Sequence, residues 1–337
     1  MRRKLLRQRK MGDAGTIRLV CSRCKSPLET RGETLSCARC AVAFPRAGGI
    51  ADFAEGRYYD DFPGPEVLSA ENLRGLANES EGARIDGFYR PLLDRIASKR
   101  GVSRAQISVL DSGCGNGESV DVLSRLGFEA WGHDLSALRK WQWRERERRD
   151  RLVVAAGERL PFPAGAFDAV IASGVLEHVG VSEEGGGRYR VAPMPDRDAR
   201  RRTYLAELLR VLAPDGRLFL DFPNGAFPID FWHGTTPGGA RWHSPSEGFL
   251  PTVSEIRVLC ARIDGGLRVT ALSPEGRLRF RQVSAHWYGR ALRAPMAGLH
   301  SLMSTRAFRF LAASPINPYL VLEIRRPAPA GARLSSP

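Results

Sequence analysis

A short apolar run, Ile107 to Leu110, leads into Asp111-Ser-Gly113-Cys114-Gly115-Asn-Gly117 and then into Val120, Val122, Leu123 and Leu126 at helical spacing. No other stretch restricts the fold so tightly. A strand must stop, the backbone must turn within a few residues and a helix must start, which is the repeating unit of an open parallel sheet. Glycines at 113, 115 and 117 keep the turn tight and let the backbone approach a ligand where a Cβ would collide. The spacing departs from the GxGxxG dinucleotide fingerprint, because Glu118 stands where its third glycine belongs. Asp111, at the strand end of the loop, suits a ligand with an ammonium group better than one with a pyrophosphate.

Further strand and helix patterns follow in alternation. Ala130-Trp-Gly-His-Asp134-Leu135-Ser136 ends a second strand on a carboxylate that can accept hydrogen bonds from both hydroxyls of a ribose. A basic helical stretch precedes a third run, Leu152 to Ala156, and then Gly157-Glu158. The segment Ala166 to Val179 holds a fourth strand, with Asp168 expected to organise the turn before it. A helix from about Asp198 reaches Leu212-Ala-Pro-Asp-Gly216, and Arg217 to Phe222 is the fifth strand.

Taken in order, VLDSGCGNG, GHDLS, LPFPAGAFDAVIASGVLEHV and LRVLAPDGRLFL resemble the class I S-adenosylmethionine-dependent methyltransferases over residues 106–222. The resemblance implies an α/β fold with a Rossmann-like seven-stranded sheet and S-adenosyl-L-methionine as cofactor. It places Asp111, Gly113, Cys114, Gly115 and Gly117 at the methionine end, Asp134 and Leu135 at the ribose, Gly157 and Glu158 at the adenine edge, and Ser173 in the same crevice. Many relatives carry Asp where this chain has Ala156, so adenine is expected to be read mainly through backbone groups. The LEHV segment makes His178 the candidate general base, since the end of the fourth strand opens beside the transferred methyl; holding a loop is its alternative role.

Four of the six cysteines form two C-x-x-C pairs, Cys21/Cys24 and Cys37/Cys40, with twelve residues between them. Two such knuckles can close a tetrahedron of thiolates around one zinc ion, leaving no open position, so the metal would be structural. A unit this small cannot bury enough apolar area to fold alone, and zinc binding worth about 10–16 kcal/mol would supply the difference. Residues 17–53, ending in AVAFPRAGGIADF, resemble the zinc ribbons of methyltransferase-activator subunits. Cys114 and Cys260 read as buried thiols.

The formal net charge is +14, which suggests a polyanionic partner such as RNA. Only Lys4, Lys10, Lys25, Lys99 and Lys140 among the 51 basic residues are lysines, however, and arginine scattered beside abundant Gly, Ala and Pro is also what a GC-rich genome produces. No run nears the roughly 20 apolar residues of a bilayer span. No apolar core follows the basic first ten residues, so a secretory leader is not expected and the cytoplasm is the expected location.

The rest of the chain divides into a basic flexible segment 1–16, a helical linker and lid 54–105, a catalytic domain 106–326 and a disordered tail 327–337. Insertion 223–251 is rich in aromatics, Pro and His without regular periodicity, so it is expected to lie over the crevice and form an acceptor pocket from Asn224, Asp230, Trp232, His233 and His243, with Phe227, Phe231 and Trp242. A zinc role for these histidines is not expected. The Gly180–Arg190 loop reads as a gate. A helix after Thr252, apolar runs 267–272 and 278–280, a helical insert 290–312 and a strand 319–324 complete the sheet. The insert's spacing is that of a packed amphipathic helix, with peripheral membrane contact as the alternative. The favoured function is methylation of oxygen or nitrogen on a small-molecule or glycan-type acceptor. Ribosomal RNA methylation, or a non-catalytic cofactor-binding scaffold whose ribbon recruits a partner, are the alternatives.

Overall fold

The computed structural model describes residues 17–67, 82–184, 190–233, 240–277 and 287–327. The expected strand 278–280, the tip of the Gly180–Arg190 loop, segment 1–16 and all but the first residue of the 327–337 tail lie outside them.

Four short strands come first: β1 (Glu29–Arg31), β2 (Thr34–Cys37), β3 (Val42–Ala47) and β4 (Ile50–Asp52). A π-helical stretch, Ile85–Tyr89, runs into α1 (Arg90–Arg100). The alternating part follows: β5 (Ser108–Ser112), α2 (Glu118–Arg125), β6 (Glu129–Asp134), α3 (Ala137–Gln142), β7 (Leu152–Val154) and β8 (Phe167–Ser173). A hairpin of β9 (Val181–Glu184) and β10 (Arg190–Pro193) precedes α4 (Arg197–Val211) and β11 (Leu212–Pro223). A second small hairpin, β12 (Ile229–Asp230) with β13 (Arg241–Trp242), leads to α5 (Val253–Ile263), β14 (Arg268–Leu272), α6 (Trp287–Ser304) and β15 (Tyr319–Arg325).

One sheet runs through the molecule in the order β1-β2-β3-β4-β7-β6-β5-β8-β11-β15-β14. From β7 to β11 all neighbours are parallel, and β15 lies antiparallel to both β11 and β14. This is the expected seven-stranded arrangement of the class I methyltransferase fold. The central strands read as unbroken apolar runs such as Val170-Ile171-Ala172 because both faces of a parallel sheet are covered. The chain moves outward from β5 to β7 and then returns to β8 beside β5, so the carboxyl ends of β5 and β8 flank the crevice where open α/β sheets bind ligands.

The ribbon strands continue the same sheet. β4 pairs in parallel with β7 through Ala51 opposite Val153 and Asp52 opposite Val154, and the Phe53 amide donates to the Val154 carbonyl at 2.7 Å. An otherwise exposed sheet edge is thereby covered. Below the strands, Cys21, Leu35, Cys37, Phe44 and Phe53 share one buried apolar cluster with Leu110, Trp131, Phe162, Leu205 and Leu208.

Helix α5 starts at the capping box of Thr252 and Glu255, which satisfies two amides at its first turn. Helix α6 covers much of the expected insert, but its amphipathic pattern is only partly buried. Met303 is inside, whereas Leu292 and Leu302, and Phe308 just beyond the helix, are exposed. Among the described residues no helix is long and apolar enough to cross a membrane.

Candidate functional site

Between β5 and α2 the backbone enters the left-handed region at Gly113, Gly115 and Gly117 (φ 75°, 52° and 78°). The amides of Gly113 and Cys114 both donate to the His133 carbonyl at 2.9 and 3.0 Å, which ties the loop to the end of β6. A Cβ on Gly113 would lie 2.3 Å from Val175 Cγ2, so the loop and the turn after β8 are in contact. Cys114 is buried, and its thiol lies on the side of the β6 backbone at Gly132, turned away from the crevice.

Asp134 ends β6 and holds the loop from the side. Its carboxylate accepts the Gly115 amide at 3.0 Å and the Leu135 amide at 2.8 Å. Burial raises its pKa to about 6, against the opposing pull of those two amides. Asp111 is buried and pairs with Arg84 at 3.0 Å. The two put opposite charges side by side at the head of the loop. Gly157 has the ring of Tyr204 where its Cβ would stand, at 2.4 Å, so only glycine fits there. Glu158 is half-buried beside it. Ser173 donates its hydroxyl to Asp221 at 2.7 Å.

On the far side of β8 a helical turn, Leu176–His178, carries Glu177 and His178. Glu177 is buried, its Oε2 has no hydrogen-bond partner among the described residues, and burial raises its pKa. His178 and His233 are half-buried, with ring centroids 5.3 Å apart, and Phe249 packs edge-on against both. The His233 Nδ1 lies 2.9 Å from Asp230 Oδ2.

Insertion 223–251 brings His233 to the site, but several of its expected pocket residues are occupied elsewhere. Asn224 donates to the carbonyls of Ser314 (3.1 Å) and Asn317 (2.7 Å) and accepts from the Ala226 amide at 3.0 Å. With both ends of its amide engaged and buried, it fixes the loop after β11. Asp230 accepts from the amides of Trp232 and His233 and from Arg241. Burial opposes its ionisation, but His233, the Trp232 amide and Arg241 outweigh that and hold its pKa down to about 2. Trp232 packs on Tyr319, with ring centroids 4.9 Å apart. His243 is half-buried, and Trp242 is 78% exposed.

The sulfurs of Cys21, Cys24, Cys37 and Cys40 all lie within 4.8 Å of one another. Cys24 and Cys37 sulfurs are 3.6 Å apart, close to the roughly 3.8 Å edge of a tetrahedron with about 2.3 Å zinc–sulfur bonds. All six cysteines are free thiols. Lys25 and Ala41, each following the second cysteine of its pair, share a left-handed conformation (φ 63° and 50°), so the two knuckles turn alike. The residues present fit a closed four-thiolate metal centre.

Residues 110–220 match the family model described as a methyltransferase domain. The chain carries a methyltransferase domain. That domain spans β5 through the middle of β11 and contains the glycine loop, Asp134 and the Glu177–His178 turn. No curated protein matches the chain. Among solved structures it is similar to a TehB-like SAM-dependent methyltransferase from Corynebacterium glutamicum, with 17% identity over 77% of this chain and 96% of that one and a TM-score of 0.41. It is also similar to the plantazolicin methyltransferase BamL, with 13% identity, 75% and 87% coverage and a TM-score of 0.45. A chain in the complex between the Haloferax volcanii Trm112 methyltransferase activator and a methyltransferase gives 16% identity, 76% and 92% coverage and a TM-score of 0.43.

Several residues that shape the methyltransferase domain's crevice carry no local signature. Asp60 caps α3, accepting from the Ala137 amide and the Ser136 hydroxyl, both at 2.6 Å. Arg277 pairs with Asp221 at 2.7 Å, with Tyr319 and Tyr89 bonded to the same carboxylate. Arg84 lies far from Asp111 in sequence. Only Glu177 could have been singled out, as an acid inside an otherwise apolar run.

Proposed function

We propose that the chain transfers a methyl group from S-adenosyl-L-methionine to an oxygen or nitrogen of a small-molecule or glycan-type acceptor. The observation that carries this reading is the joint Asp134–glycine loop unit: a carboxylate at a strand end, beside backbone that three left-handed glycines bring close to the crevice. Asp134 would take the ribose hydroxyls, and the Arg84–Asp111 pair would face the zwitterionic amino-acid end with a charge of each sign. Gly157 and Glu158 would border the adenine, read largely through backbone. Bound there, the donor supplies an electrophilic methyl on a positively charged sulfur; a new oxygen– or nitrogen–carbon bond replaces the sulfur–carbon bond, and the acceptor's proton is released.

The acceptor side falls to the turn after β8, whose Val175 touches the glycine loop and whose next residues are Leu176, Glu177 and His178. His178 belongs to a group with Glu177 and His233 beside that turn. Much of a methyl transfer's acceleration comes from alignment and exclusion of water, and Phe249 with the loop fixed by Asn224 serves that end. Zinc held by Cys21, Cys24, Cys37 and Cys40 would be structural, fixing strands β1–β4 against the domain.

Incubation of the zinc-replete protein with methyl-labelled donor and fractionated cell extract tests the reading. Label in small metabolites or glycans is the expected result. Label confined to RNA would replace the acceptor class, and calorimetry showing no uptake of donor or of its demethylated product would overturn the assignment.

A further inference from the structure

We propose that Glu177, His178 and His233 form a second metal site, one that binds a divalent transition-metal ion on the acceptor side of the crevice. One ligand atom from each of the three lies within 4.8 Å of the other two. Two imidazoles and one carboxylate with open positions is the donor set of catalytic zinc and of related nitrogen–oxygen sites, unlike the closed thiolate centre of the ribbon.

An independent observation points to a ligand. Glu177 is only 1% exposed and its Oε2 has no partner among the described residues, and such a buried polar oxygen costs free energy unless something occupies it. A cation supplies the missing partner. No local pattern in the sequence shows this, because His233 lies 55 residues beyond His178 and reaches it only through the loop after β11.

The supporting shell has the form metal-binding imidazoles need. Asp230 Oδ2 lies 2.9 Å from Nδ1 of His233, the carboxylate contact that orients a metal-binding imidazole. Arg201, buried on α4, donates to the carbonyls of Glu177 (3.0 Å), Val179 (3.2 Å) and Phe249 (2.6 Å) and so fastens the turn carrying two ligands to the segment that closes over the third. Arg241 bridges Asp230 at 3.1 Å and Glu247 at 2.5 Å, steadying the same loop. Three protein ligands would leave further coordination positions on the ion for acceptor oxygens. An acceptor with two neighbouring oxygens, such as a vicinal diol, would chelate the ion. Its bound hydroxyl would ionise more readily and release its proton to solvent, with both imidazoles serving as ligands.

The metal-binding claim stands whether or not the donor assignment is right; the acceptor class rests on it. Zinc-loaded full-length protein titrated with cobalt(II) provides the test. The expected result is one further equivalent of cobalt per chain, with weak visible bands of nitrogen and oxygen coordination and no sulfur-to-cobalt charge transfer. His178→Ala and His233→Ala should each weaken binding at least tenfold, and Asp230→Asn should weaken it less. Glu177→Gln should also weaken it. Because that buried variant could fold poorly, the less deeply buried histidines are the primary variants, with retained zinc and an unchanged melting curve showing they are folded. No uptake by folded protein, thiolate bands alone, or binding by both histidine variants as tight as that of the unsubstituted protein overturns the site. Donor calorimetry on the same samples separates this outcome from failure of the methyltransferase reading: cobalt bound without donor uptake leaves the metal site standing alone.

Discussion

The Asp134 carboxylate accepts the Gly115 amide at 3.0 Å, so the acid expected to grip a ribose also sets the shape of the loop beside it. Two consequences follow from one group. With its pKa near 6, Asp134 is a full acceptor only above that value. Donor affinity should be constant above about pH 7 and fall by up to tenfold per unit below about 6. The apo fold behaves oppositely: a carboxylate with a raised folded pKa stabilises fully below its ordinary value of 3.8, and that contribution is lost as pH rises through about 6. Asp134→Asn should weaken donor binding about tenfold or more and flatten its pH dependence. Calorimetry across the range checks both, and an unchanged pH profile in the variant would remove Asp134 from the donor site.

His133, one residue earlier, is buried between the Ser112 hydroxyl at 2.7 Å and the Ala155 carbonyl at 3.2 Å. Burial lowers its pKa from 6.5 to about 4. Between those values the unfolded chain binds the proton and the folded one does not, so this contribution to stability is complete above about pH 6.5 and declines as pH falls toward 4. The total is about 3 kcal/mol. Asp134 shifts stability the other way over part of that window, so the useful readout is the difference between wild type and His133→Gln. The variant's denaturation midpoint should change less steeply from about pH 6.5 to 4.

Gly113 has two separate reasons to be glycine. Its φ of 75° disfavours any side chain, and an added Cβ would meet Val175 at 2.3 Å. Gly113→Ala should cost about 2–4 kcal/mol in urea unfolding and sharply reduce donor binding. Adding Val175→Ala should recover the steric part and leave the backbone part. Full recovery would mean the left-handed conformation is not needed.

Lys25 joins the ribbon to the methyltransferase domain. Its ammonium donates to Glu207 at 2.7 Å and to the Ser22 and Leu160 carbonyls, both at 3.0 Å. Lys25→Ala should lower stability by about 1–3 kcal/mol, because a largely buried Glu207 keeps only Arg210 as a partner. With zinc held by the four cysteines as proposed, its removal by a chelator should lower the melting temperature of the whole chain in one transition, since β4 and Phe53 belong to the same sheet and core as β7. Two well-separated transitions in calorimetry would show that the ribbon melts independently.

The sequence by itself determined the order of elements, because alternating apolar runs, glycine turns and helical spacing are local and each leaves a readable pattern. Thus β5, the loop at 113–117, Asp134 and the two cysteine knuckles were legible without coordinates. Tertiary structure alone decided which side chains meet. Arg84 reaches Asp111, Glu177 and His178 meet His233, and β4 extends the catalytic sheet at β7, all across separations where no periodicity links the partners. The same limit explains Asn224, Asp230 and Trp242: composition marked their loop as unusual, but whether a polar or aromatic group faces a crevice, the core or solvent depends on hydrogen bonds that exist only once β11 and β15 have packed.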